Sequence, residues 1–303
     1  MSNGRTLALH HLPVELLYDI YTFSLSPCLP LTCKYLHAVF KAAPPTLHAE
    51  YLIRCYAESA ATSASARTLG LISKVLRYPI CTRQVLEAIL RNPGCPYIPP
   101  PNDPLRRPTI LPRHLFRNLA PRDSPGQRPW TEYDEPLPFL GFLYNDPRIP
   151  PPASDSHDGY ALTRAVYAGF TPLVRFLLEK DASPACRGNL AVTVAIRRKS
   201  LPLVRMLIER DGSGSGDDVK TKGSKKRKLS AMEEDESEGT NAKATGGSSK
   251  NRGAKRRKLG DRVSVNPEML KAAVKCNAHD IAEYLMREKG CVPDMQTVLM
   301  MGR

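Results

Sequence analysis

The chain has 303 residues, 42% of them hydrophobic and 24% charged, with 44 Lys and Arg against 30 Asp and Glu for a formal net charge of +14. That apolar content excludes a wholly disordered chain, and the length allows about two domains of roughly 150 residues. No apolar run approaches the ~18 residues of a membrane span, and the opening MSNGRTLALHHLP lacks the apolar core of a secretory signal, so a membrane or secreted protein is not expected.

In chain order, Leu12, Leu16, Ile20 and Phe23 fall on one helical face, and Cys33, Leu36, Val39 and Phe40 on another before Pro44 and Pro45 stop the segment. Further helices are predicted over residues 47–56, 69–76 and 85–90, the last with Thr82 available as its N-cap. Of the 28 prolines, 17 lie in residues 93–152, where each removes a backbone donor, so this stretch should be loop-rich with short helices at best. The lone Trp130, with Tyr133, reads as an anchor for it. Residues 212–260 open with GSGSG and contain no aromatic side chain, a composition expected to be disordered. Sustained period-2 alternation is missing, so the class should be all-α. Eight cysteines without a CxxC pair read as reduced and mostly buried.

The chain also repeats itself. Residues 161–181, ALTRAVYAGFTPLVRFLLEKD, align without gaps with residues 191–211, AVTVAIRRKSLPLVRMLIERD, with ten of 21 positions identical. A third copy, MLKAAVKCNAHDIAEYLM, starts at Met269, and a half copy, PFLGFLYND, at Pro138. Each full copy places a small residue (Ala165, Ala195, Ala273) in a first helix, breaks near Gly169, Lys199 or Asn277, and continues into an apolar second helix. No such unit buries its own apolar face, so the copies must stack. Asp158, Gly159, Leu162, Ala165, Gly169, Val174, Leu177, Leu178, Ala182 and Pro184 make this segment resemble the ankyrin repeat family, although Tyr160 and Ala161 stand where that family usually has Thr-Pro. The resemblance covers residues 136–294, interrupted by the insert between copies two and three, with VLEAILRNPGCP from Val85 as a possible worn copy upstream.

At the N-terminus, LHHLPVELLYDIYTFSLSPCLPLTCKYLHAVF resembles an F-box, the helical module that joins substrate receptors to Skp and cullin ubiquitin ligases. Leu12, Pro13, Glu15, Leu16, Leu17, Ile20, Cys33 and Lys34 carry the match, and the resemblance implies that they bind a Skp-type adaptor protein. Together the two resemblances suggest a fungal-type F-box-like protein with degenerate ankyrin repeats. The implied order is an F-box-like module (1–56), a helical and Pro-rich connection (57–135), repeats (136–211), the insert (212–262), and a last repeat with its cap (263–303).

Residues 217–260 hold 13 Lys and Arg and 7 Asp and Glu, so +6 of the net charge sits there and +8 in the rest. Within the insert, Lys225, Lys226, Arg227 and Lys228 (KKRK) and Lys255, Arg256, Arg257 and Lys258 (KRRK) flank the acidic run 233–238, EEDESE. Each basic cluster resembles a nuclear localisation signal read by importin-α, which predicts a nuclear protein with a cytoplasmic pool. Ser230 beside KKRKL is a candidate phosphorylation site, because phosphate there would add about −2 charge next to Lys228. Specific nucleic-acid binding is not expected, since so much of the basic excess lies in the insert.

The ankyrin resemblance puts the ends of the first helices in a concave groove. Tyr167 in the first copy, Arg197, Arg198 and Lys199 in the second and Lys275 in the third would then form a basic surface for an acidic stretch of an unknown target protein. Enzymatic patterns are weak. GSGSG follows no strand and precedes no helix, and Cys28, Cys33 and His37 could be completed as a zinc set only by His48 or His10. No catalysis and no cofactor are expected. The implied function is a ubiquitin-ligase substrate receptor; the alternative is a nuclear ankyrin scaffold or transcriptional co-regulator whose N-terminus is only structural.

Overall fold

The computed structural model describes residues 9–62, 70–100, 103, 106–122, 126–210 and 261–301, and these are mostly helical. The N-terminal part is built from α1 (Val14–Ser24), α2 (Lys34–Lys41) and α3 (Pro45–Thr62). Pro13 caps α1 with an extended ψ of 148°, and its carbonyl accepts from Leu17 N at 3.2 Å. Cys33 caps α2 through its sulfur, which accepts from Leu36 N at 3.5 Å. Pro45 opens α3, where a missing N–H costs no intrahelical bond. Tyr21 of α1 stacks between Phe40 of α2 (centroids 4.6 Å) and Tyr51 of α3 (4.1 Å), and His48 meets its edge at 6.1 Å.

The boundary expected at residue 56 falls inside α3. This helix continues to Thr62 and packs against α4 (Leu71–Val75) and α5 (Arg83–Arg91) as well as α1. One buried apolar cluster runs from Leu17 to Leu285, so the N-terminal helices share a core with the rest of the fold. Thr82 caps α5 as its spacing predicts, accepting from Val85 N at 3.4 Å, and Val85, Leu86 and Ile89 are buried. After α5 the next described helix is α6 (His114–Arg117).

A short parallel ladder departs from the all-α expectation. β1 (Thr109–Ile110) pairs with β2 (Pro152–Ala153) in the register Thr109 to Pro152. The prolines keep the chain extended and short of donors, and the bonds concentrate on the few residues that retain them. Thr109 donates from its backbone to Pro151 O (3.0 Å) and from its hydroxyl to Pro150 O (2.7 Å). Arg106 Nη2 reaches Pro147 O and Ile149 O, at 2.9 and 2.6 Å. Trp130 anchors the same region, donating from Nε1 to Ala168 O (3.0 Å) and stacking on Phe170 (4.6 Å), whereas Tyr133 points into solvent.

Helices α7 (Leu137–Asn145), α8 (Ser156–Ala168), α9 (Thr171–Glu179), α10 (Cys186–Arg197), α11 (Leu201–Ile208), α12 (Pro267–Lys275) and α13 (His279–Glu283) come next. A π-helical turn, Tyr284–Glu288, extends α13, and α14 (Met295–Met301) is last. α10 packs between α8 and α12, while α11 contacts α9 and α13. Ala165, Ala195 and Ala273 are fully buried in the first row, where only a methyl separates the helices. The second row buries Leu173, Val174, Leu177 and Leu178 in α9 and Leu203, Val204, Leu207 and Ile208 in α11.

The same hydrogen-bonded cap ends α8, α10 and α12. Gly169, Lys199 and Asn277 take left-handed φ values of 69°, 55° and 52°, and each donates to the carbonyl three residues back. Their successors in the chain, Phe170, Ser200 and Ala278, donate to Ala165, Ala195 and Ala273. This is the Schellman arrangement, which satisfies helix-end carbonyls and turns the chain sharply into the next helix. Before the insert, Ile208 O accepts from Arg262 N at 2.7 Å, and Lys289 bridges Glu209 (3.1 Å) and Asp261 (2.9 Å). The chain therefore leaves and re-enters the fold at one place.

Three imidazoles, the buried His48, the half-buried His114 and the exposed His157, are held below the usual histidine range, and a pH-dependent stability is expected from them, mostly from His48. Burial holds His48 below the usual histidine range even though it donates to the Phe40 carbonyl, and its Nδ1 has no partner among the described residues. Burial also lowers His114, and burial together with Arg113 and Arg77 lowers His157. The unfolded chain takes up these protons below about pH 6.5 and the folded chain resists them, so stability should fall as pH drops from about 6.5 toward 5. A His48→Asn variant should show a flatter decline over that interval in urea titrations; an unchanged slope would remove His48 from the account.

Candidate functional site

The residues of the N-terminal motif divide between core and surface. Leu17 is buried with Tyr21 and packs inward, so it supports the helix and is not offered to a partner. Leu12 and Ile20 are half-buried, while Pro13, Glu15, Cys33 and Lys34 are exposed. Leu16 is 47% exposed. The same N-terminal segment also leaves the large apolar side chains of Val14, Phe23 (72% exposed), Leu31 (75%) and Tyr35 in water. Phe23 carries the Arg54 guanidinium 4.8 Å from its ring centre. Leu31 was hard to assign from sequence because it lies between prolines in a 3-10 turn, Leu29–Leu31, with no helical period to orient it.

Hydrogen bonds anchor the backbone of this turn: Thr32 Oγ1 donates to Leu29 O at 2.8 Å, and Cys33 caps the helix after it. Cys33 is therefore a capping group in this structure, and no group of three or more His, Cys, Asp or Glu suited to a metal occurs among the described residues.

The second candidate surface lies on the last turns of α8, α10 and α12. Tyr167, Arg197 and Lys275 stand two residues before the three left-handed caps, at equivalent positions on helices that pack side by side. All three are exposed, as is Lys199. Arg198 differs: it is half-buried, its Nη1 donates to Tyr167 O, and its guanidinium lies against Gly169, where a Cβ would come within 2.9 Å of Nη2. Arg198 thus ties α10 to the end of α8. Arg164 acts in the same way toward α6, donating to Arg117 O (2.7 Å) and Leu119 O (2.6 Å). Arg197, Lys199 and Lys275 make no ion pair among the described residues.

The two basic clusters and Ser230 lie outside the described residues. A further apolar face, unforeseen in the sequence, is on the C-terminal helix, where Met295, Val298 and Leu299 are exposed around the buried Thr297. MQTVLMM is apolar nearly all round, so its pattern gives no direction to the core. No described helix is long and apolar enough to cross a membrane. No family model, no curated protein and no solved structure matches the chain.

Proposed function

We propose that the protein is a non-enzymatic adaptor of the F-box type, a nuclear substrate receptor that joins a Skp-type adaptor through its N-terminus and holds an acidic stretch of a target protein on α8, α10 and α12. The exposed apolar side chains of the N-terminal segment, Leu16 among them on a helix opened by Pro13, carry this reading. Leaving Leu16, Phe23 and Leu31 in water is unfavourable by about 25 cal/mol per Å² of apolar area, a cost that a covering partner helix would remove. The common cap at Gly169, Lys199 and Asn277, with the buried alanines four residues before each, supports an ankyrin-type stack as the target-binding part. Helix pairs of this kind need neighbours to bury their second face, and α10 between α8 and α12 has one on each side.

Import by importin-α through Lys225–Lys228 and Lys255–Lys258 places the receptor in the nucleus. Replacing the cationic residues of both clusters with Ala should move a tagged chain to the cytoplasm; undiminished nuclear signal would remove the assignment. The receptor role is tested by affinity purification. A double Leu16→Asp, Ile20→Asp variant should recover roughly 30-fold less Skp-type adaptor than the native chain, the effect of losing one interfacial hot spot. Both side chains lie at least partly in water, so the variant should keep its thermal transition. A native chain that folds and never recovers the adaptor would leave the scaffold reading in its place.

A further inference from the structure

We propose that the cavity between α2, the start of α3 and the turn leading into α5 binds a small aromatic acid that carries a hydroxyl group at the end of its ring opposite the carboxylate. The inference is independent of the adaptor and target surfaces described above.

Segments distant in the chain build the cavity. Helix α2 contributes Phe40 and Lys41, α3 contributes Pro45 and His48, and the turn into α5 contributes Pro79 and Ile80. They surround about 550 Å³, a volume in the range of small-molecule sites. The walls resist collapse. Pro30, Pro45 and Pro79 come from three separate segments, and each ring holds its backbone at a fixed φ. Phe40 is buried and stacked on Tyr21 at 4.6 Å, so it cannot swing into the space. Proline rings and the Phe40 face are flat apolar surfaces, which suit an aromatic body.

The polar groups are few and differ between the inside and the rim. Inside, His48 is 7% exposed and meets the edge of Tyr21. One of its ring nitrogens donates to the Phe40 carbonyl, so in the neutral imidazole the other, Nδ1, is an acceptor, and it has no partner among the described residues. A buried acceptor without a donor is unfavourable, and a ligand hydroxyl relieves it. Nδ1 is sealed from bulk water, so the cavity must widen slightly there to admit the hydroxyl, and the bond then forms without competition from solvent. At the rim, Lys41 and His37 are exposed, and no Asp or Glu is among the side chains that line the cavity. An anionic group at the mouth is therefore favoured over a cationic one.

The test uses 4-hydroxyphenylacetate as the probe and the full-length chain, with affinity read by ligand-observed NMR titration. A probe of this size should bind with a Kd on the order of 1 mM. 4-Methoxyphenylacetate has the same body without the O–H donor and should bind the native chain roughly tenfold more weakly. His48→Phe keeps an apolar ring without the acceptor, and this variant should bind the two probes equally. Lys41→Ala should weaken 4-hydroxyphenylacetate about threefold, the size of an exposed ion pair. The probe comparison and Lys41→Ala leave the core untouched, so they decide the matter even if His48→Phe does not fold. Equal affinity of the native chain for the two probes would overturn the role of Nδ1 and the proposal with it. Binding unchanged by both variants would place the probe elsewhere and overturn it as well. No binding at about ten times the expected Kd would overturn the site itself.

Discussion

Replacing Tyr21 with Ala should destabilise the protein by about 3–5 kcal/mol, the range for removing a buried aromatic ring. Tyr21 is 2% exposed and joins the first three helices, since its ring stacks on both Phe40 and Tyr51. The void would be walled by two rings and the edge of His48 and could not close without moving α1 in against α2 and α3. At this chain length the loss corresponds to a fall in Tm of roughly 10 °C, measurable by circular dichroism. Tyr21→Phe keeps the stack and should stay within about 1.5 kcal/mol of native. A Tyr21→Ala chain that melts with the native protein would mean that the N-terminal helices do not pack as described.

At Gly159, an alanine should cost about 2–4 kcal/mol, whereas the same change at Gly188 should cost about 1 kcal/mol. Both glycines are left-handed, with φ of 71° and 64°, and occupy similar three-residue left-handed stretches, 157–159 and 187–189. Their surroundings differ. A Cβ on Gly159 would lie 2.8 Å from Cys186 Cβ, an atom fixed to the start of α10, while one on Gly188 meets nothing within 4 Å. The pair thus separates backbone strain from steric overlap by urea titration. Equal losses at the two positions would show that the close approach of α8 to the start of α10 does not constrain the packing of these helices.

The helices were legible because their apolar residues recur every three or four positions and because caps such as Thr82 mark their starts. The breaks at Gly169, Lys199 and Asn277 could be placed from internal similarity, which fixed two positions where the residue itself is not glycine. Other features depend on contacts distant in sequence. Arg198 joins Tyr167, 31 residues away, and nothing local distinguishes it from its exposed neighbour Arg197. The β1–β2 ladder is two residues long, too short for a period. On α1, Leu16 and Leu17 are adjacent apolar residues, and only the position of Tyr51 and the rest of α3 decides that Leu17 turns inward while Leu16 stays at the surface. That choice determines which part of the candidate adaptor surface is free to bind.

Amide hydrogen exchange on the full-length chain, with and without purified Skp-type adaptor, tests the receptor role most directly. Slower exchange is expected over residues 9–35 alone, where Leu16, Phe23, Leu31 and Tyr35 are exposed, with α8, α10 and α12 unchanged. Exchange unaltered at saturating adaptor, or protection that appears only on the helix pairs, would contradict that role.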